Sequence, residues 1–196
     1  MKKIALLIAF IIVIQNVSAQ ENLRPITTGV PFLLIAADAR SAGLADMGVA
    51  TSADVFSQQY NPAKYAFALQ EHGFSVSYTP YLTSIANDIS LGQLTYYNKL
   101  NERSAFAGSF RFFGLGDIEL RETGDPNEVP RVVNPNELAV DLSYSLKLSE
   151  RFSMAVGGRF IRSALRIPDG TTDASAATTF AVDIAGYYQS EEIAYD

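Results

Sequence analysis

Between Glu137 and Phe160 apolar and polar residues alternate one by one. Leu138, Val140, Leu142, Tyr144, Leu146 and Leu148 fall on one face, with Ala139, Asp141, Ser143, Ser145 and Lys147 on the other. After Ser149-Glu150-Arg151, the apolar face continues through Phe152, Met154, Val156, Gly158 and Phe160, against Ser153, Ala155, Gly157 and Arg159. Successive side chains of a strand point to opposite faces, so the pattern predicts an antiparallel hairpin with one apolar and one polar surface. A three-residue turn flanked by Leu148 and Phe152 opposes Leu146 to Met154, Tyr144 to Val156 and Asp141 to Arg159. A slip of one residue would set the apolar side chains of one arm against the polar face of the other. The arms exceed the roughly five or six residues usual in soluble sheets and suit the about 9–11 of a tilted membrane strand. The second arm is expected to run on toward Ile167. A dry sandwich core would reject unpaired Asp141, Lys147 and Arg159; a wet barrel lumen accepts them.

The same period recurs on both sides of this hairpin. Phe74, Val76 and Tyr78 alternate with Ser75, Ser77 and Thr79 until Pro80. Ile89 to Leu100 is a second strand, in which Ile89 and Leu91 share one face and Leu94 and Tyr96 the other; this phase change predicts a bulge near Gly92. Ser104 to Leu120 is a third, with Phe106, Gly108, Phe110 and Phe112 outward, Arg111 inward, and Asp117, Glu119 and Arg121 opposite Ile118 and Leu120. Ala177 to Tyr188 is the sixth, with Phe180, Val182, Ile184 and Tyr188 against Thr179, Ala181, Asp183 and Tyr187. Asp183 is expected beside Arg159, giving a row Asp141–Arg159–Asp183 across three strands. In a wet lumen such pairs contribute about 0–1 kcal/mol each and serve chiefly to fix register. By the same logic arginine at Ser143 should be far better tolerated than at Leu142. Tyr65, Tyr78, Tyr81, Tyr96, Tyr97, Tyr187 and Tyr188 cluster near predicted strand ends, as an interfacial girdle would.

Connections alternate in length: Asn101–Arg103 and Ser149–Arg151 are short, while Tyr81–Asn87, Thr123–Asn136 and Pro168–Ala176 are longer. Outer-membrane barrels have short periplasmic turns and longer external loops. The fold class predicted is therefore all-β, an antiparallel up-and-down outer-membrane barrel over 73–196, incomplete at about six strands. A membrane barrel closes with about eight or more strands, so the sequence is expected to be the N-terminal piece of a larger one.

The first 72 residues have another texture. Lys2 and Lys3 precede an apolar run from Ile4 to Ile14, and Val17-Ser18-Ala19 is a small-residue cleavage site, so residues 1–19 read as an export leader. Residues 20–72 contain Pro25, Pro31 and Pro62 and the apolar run Phe32–Ala37, without alternation. They are expected to form a compact hatch on the polar side of the sheet, with helical turns over Ser41–Met47 and Pro62–Ala68. Pro62 suits a first helical turn behind Asn61 as cap.

Charge and chemistry narrow the reading. Removal of Lys2 and Lys3 leaves 13 basic against 21 acidic residues, a net −8, which disfavours nucleic acid as a partner. The chain has no cysteine, so disulfides and thiolate metal sites are excluded, as is a lipid anchor on cysteine. His72 is the single histidine. Gly73-Phe74-Ser75-Val76-Ser77 misses the nucleophile-elbow pattern at its last residue, and Gly114-Leu115-Gly116 lacks the strand–helix context of a dinucleotide loop. Asp117 with Glu119, and Asp141 with Asp183, read as lumen residues paired with arginines rather than as acid–base pairs. No catalytic centre, metal or cofactor is expected.

Longer motifs carry a resemblance. Thr27–Ala36, Asp38-Ala39-Arg40-Ser41-Ala42-Gly43, Asp46–Ser52, Ser57–Ala66, Gly73–Pro80 and Asn134–Ala139 together resemble the PorV family, outer-membrane components of the type IX secretion system of Bacteroidota. Asn61-Pro62-Ala63 alone is shared more widely with FadL-type transporters, where it lies in the hatch. The resemblance implies a fourteen-stranded barrel with an N-terminal hatch, in which Asp38, Arg40, Asn61, Pro62 and Ala63 are hatch-motif residues. It implies a scaffold in outer-membrane lipid that receives secreted cargo proteins through their C-terminal signal domains. The cargo passes from the translocon to the attachment complex. Two alternatives remain, a FadL-like transporter of hydrophobic molecules and a lipopolysaccharide O-deacylase.

Overall fold

The computed structural model of the chain describes residues 29–84, 86, 88–121, 129–165 and 175–190. The expected leader 1–19, residues 20–28, and parts of the three longer connections lie outside the described residues.

Alternation builds one wall. Six strands, β1 (His72–Pro80), β2 (Ser90–Lys99), β3 (Ser104–Gly114), β6 (Asn136–Lys147), β7 (Phe152–Ala164) and β8 (Ala177–Tyr188), pair antiparallel in that order. Each strand neighbours the next in the chain, with one excursion between β3 and β6. There β4 (Ile118–Leu120) pairs with β5 (Arg131–Val133) as a separate two-stranded ribbon. The six strands hold 9 to 13 residues each. The wall is not closed: among the described residues β1 and β8 are each paired on one side only. The chain is thus all-β with an incomplete antiparallel barrel wall, as its patterning predicts.

The central hairpin has the expected register. Lys147 faces Ser153, Asp141 faces Arg159 and Asn136 faces Ala164. Phase is kept through every later pairing, so Leu142, Val156 and Val182 stand on the outer surface, exposed, while Ala139, Ser145 and Ala155 are buried on the inner one.

Three expectations are corrected. No bulge interrupts β2, whose pairing with β1 is continuous from Ser90 to Asn98. Leu91 points inward because that end of the inner face is apolar: Leu91 packs with Phe32, Phe113, Ala139 and Ile161. Likewise, β3 does not reach Leu120. Gly116 adopts a left-handed φ of 77°, which turns the chain out of the wall, and a Cβ there would collide with the Asp88 carboxylate. Leu115 N–H then donates to Pro135 O at 3.0 Å, closing the base of the β4–β5 ribbon. β7 does run past Phe160, to Ala164, as expected; Ile167 lies outside the described residues. Finally, Tyr65 and Tyr97 belong to no girdle. Both are buried, with rings stacked at 4.7 Å. Tyr78 and Tyr188 do stand exposed on the outer face.

The irregular N-terminal segment lies across the inner face. It consists of a 3-10 turn Pro31–Leu34, a short helix Ala39–Gly43, a second short helix Ser57–Tyr60 and a 3-10 turn Pro62–Phe67. The helix that was expected over Ser41–Met47 starts two residues earlier, because Asp38 caps it by accepting from Ser41 N–H at 3.0 Å. Phe32 anchors one end of the segment, 2 % exposed and stacked on Phe113. Phe32→Ala should cost about 3–5 kcal/mol, against less than about 0.5 kcal/mol for Leu34→Ala, whose side chain is exposed. Urea unfolding of the full-length chain folded in detergent measures both.

Candidate functional site on the inner face of the wall

Odd-numbered wall residues project inward, and several of the polar ones end on the N-terminal segment. Ser143 Oγ donates to Gln58 Oε1 at 2.5 Å, and Ser153 Oγ to Ala63 O at 2.7 Å. Ser77 Oγ donates to Ala37 O at 2.7 Å. Arg111, 1 % exposed, gives its Nε and one terminal nitrogen to Gln93 Oε1 at 2.8 and 2.6 Å. Its other terminal nitrogen reaches the carbonyls of Phe32, Leu33 and Ile35 at 3.0 to 3.3 Å. Small side chains on this face, such as Ala105, Ala139 and Ser145, leave the space in which the segment's backbone lies.

The motif residues organise the segment. Asn61 Oδ1 accepts from Ala63 N–H at 3.1 Å, the cap expected before Pro62. Its amide nitrogen donates to Val49 O at 3.1 Å and to Gly186 O on β8 at 3.0 Å. One side chain thus ties a turn, a loop and a wall strand. Pro62 opens the turn and Ala63 is fully buried, its carbonyl holding Ser153. Asp38 caps its helix, and Arg40 pairs with Asp54 at 3.0 Å on the surface. Lys64 is fully buried and donates to Gly48 O at 2.6 Å and Thr51 Oγ1 at 3.2 Å. Burial holds its ammonium below the usual lysine range, while Asp54 opposes that shift. Tyr65 donates to Val55 O and accepts from Gln58 N–H, both at 2.8 Å, and burial raises its phenol above the ordinary range.

The three-strand charge row is only two residues wide. Arg159 Nε bonds Asp141 Oδ1, and Asp141 also accepts from Ser109 Oγ at 3.1 Å. Asp183 faces Gly157, whereas Arg159 faces Ala181. The β7–β8 register therefore sets Asp183 two positions away from the expected place, and it is exposed. All three line a cavity of about 250 Å³ with Gln58, Tyr60 and Pro62. The Asp141–Arg159 pair is mostly buried, with side chains 7 % and 18 % exposed. It is not the freely hydrated pair expected from patterning. Ser143 is covered as well, so arginine there would displace the segment instead of reaching water.

Chemistry weighed earlier stays dispersed. His72 and Ser75 are three residues apart on one strand and so point to opposite faces. Asp117 and Glu119 belong to the β4–β5 excursion, where Asp117 accepts from Asn134 and its N–H donates to Asp88 at 2.8 Å. Among the described residues no group of three His, Asp or Glu is placed to hold a metal.

What unites the site is a segment and a wall made for each other, and one family model covers both. The model of the type IX secretion system protein PorV matches residues 17–196. The chain belongs to the PorV family. No curated protein sequence matches it. The PorV match runs through the inner segment and all six wall strands, so the two are parts of one family unit, a component of a secretion system.

Gln58, Gln93, Arg111, Ser143 and Ser153 are site residues that motif reading missed. Their one signal was inward parity on a polar face, or for Gln58 a place in the Ser57–Ala66 motif. Asp141→Leu should cost about 3–5 kcal/mol by leaving Arg159 buried and unpaired, and Arg159→Met in the same chain should restore most of it. Unfolding of the single and double variants gives the coupling.

Proposed function

We propose that this chain acts in the outer membrane, receiving secreted cargo through the cargo's C-terminal signal domain and passing it to the surface attachment machinery. The PorV match over residues 17–196 carries the reading. Two structural features support it. The outer surface of the wall is a continuous apolar band, suited to lipid. The inner surface is occupied by residues 29–71, the proposed hatch, held by side chains of five strands, Ser77, Lys99, Arg111, Ser143 and Ser153. A filled lumen suits a carrier of folded protein at the membrane surface better than a pore. The cavity under Tyr60 and Pro62 is lined by Asp141, Arg159 and Asp183, a poor match for hydrophobic molecules; a FadL-like transporter would have to use the more apolar cavity of about 670 Å³ beside Leu34, Ile35 and Tyr81. The proposal includes translocon and attachment-complex proteins as partners. No catalytic turnover is part of it.

Deletion of the full-length gene should leave proteins with C-terminal signal domains unattached to the cell surface, and the intact gene should restore them. Normal attachment together with impaired uptake of hydrophobic molecules, or with altered lipopolysaccharide acylation, would reject the proposal for one of its alternatives. Restoration by variants with alanine at Ser75 or His72 is expected. Leu142→Arg on the outer face should cost about 2–4 kcal/mol near mid-bilayer, against about zero for Glu102→Arg in an exposed turn. Folding of the full-length protein into lipid vesicles measures both.

A further inference from the structure

The hatch meets the wall in two unequal regions. Residues 53–71 are held at many separate points. Gln58 is held by Ser143, Ala63 by Ser153, Asn61 by Gly186, Ala68 O by Lys99 Nζ at 3.0 Å and Gln70 O by Tyr97 at 3.3 Å. Among the described residues, 29–41 have fewer polar holds. Besides the burial of Phe32 and Ala37 and the packing of Val30, Leu33 and Ile35 against the same apolar cluster, the wall grips them through Arg111, which binds three carbonyls, and Ser77, which binds one.

Between the two regions, residues 42–47 are all exposed. Ala45 and Asp46 there take left-handed φ of 55° and 62°, a conformation that costs a non-glycine residue free energy. Among the described residues the polar ties between the regions are three, and two of them are weak. Arg40–Asp54 is solvent-exposed, Ala37 N–H reaches Tyr60 Oη only at 3.4 Å, and Gln59 Nε2 bonds Leu33 O at 2.8 Å. Arg111 is therefore the principal polar hold on the outer region. All its hydrogen bonds go to neutral oxygens, those of Gln93 and three backbone carbonyls. Its planar fork reaches both sets at once, which an ammonium cannot do.

We propose that residues 29–41 form a flap hinged at 42–47 and latched by Arg111, and that the flap leaves the wall while residues 53–71 stay seated. Opening uncovers the apolar cluster of Leu91, Phe113, Ala139 and Ile161 under Phe32. The flap is a property of the fold and does not depend on the secretion role.

The absence of cysteine gives a clean test. In the full-length protein purified in detergent, one cysteine is placed at Ala37 in the flap, or at Ala66 in the seated region; both positions are buried. Reaction with a thiol reagent is then followed with and without Arg111→Met. The expected result is a rise of about tenfold or more in rate at position 37, with position 66 unchanged. Gln93→Leu, which removes the partner that orients the guanidinium, should raise position 37 in the same way, and Gln93→Glu should not. Should Arg111→Met fail to fold by gel mobility, Gln93→Leu decides. Unchanged reactivity at position 37, or a parallel rise at position 66, overturns the flap.

Discussion

A sheet with an apolar outer face must place its polar side chains inward, and once covered those groups need partners. That constraint governs this structure. Gln93, Arg111, Ser143 and Ser153 cannot be buried by an apolar plug without leaving donors and acceptors unmatched. The segment laid against them answers with backbone carbonyls and the side-chain amide of Gln58. It stays irregular for the same reason: short 3-10 turns and single helical turns leave carbonyls free that a long helix would consume. Phe32, Tyr65 and the alanines add apolar contact where the wall's own face is apolar or small.

The wall was legible because its period is simple. Alternation from Leu138 to Phe160 fixed faces and register together, since any odd slip would have buried Asp141 against leucines. The failures are of three kinds. Leu91 broke the alternation because an apolar patch of the segment sits over it, a tertiary partner that strand periodicity does not contain. Leu120 kept the alternation but left the wall, because Gly116 turned the chain; one positive φ outweighed a continuing pattern. Asp183 missed Arg159 because β7 and β8 pair Gly157 with Asp183, and alternation alone leaves a register open by steps of two.

The site was legible only as motif and parity. Asn61-Pro62-Ala63 announced a capped turn, and the cap is present, but nothing local to that motif points to Gly186. Arg111 read only as an inward cation; its partners are Gln93 and three carbonyls of the segment. Burial of Asp141 and Arg159 was missed for a related cause: the N-terminal segment lies over them, so an inner face pictured as wet is in part covered by protein.

Asn61 and Gly186 are 125 residues apart in the chain. Closing so long a loop costs entropy before the contact returns anything, and bonds of this separation form late. The N-terminal segment is made first and yet cannot be fully seated until β8 exists. Until then its apolar turns must remain soluble with their wall absent. The order of synthesis and the order of assembly thus run in opposite directions along this chain.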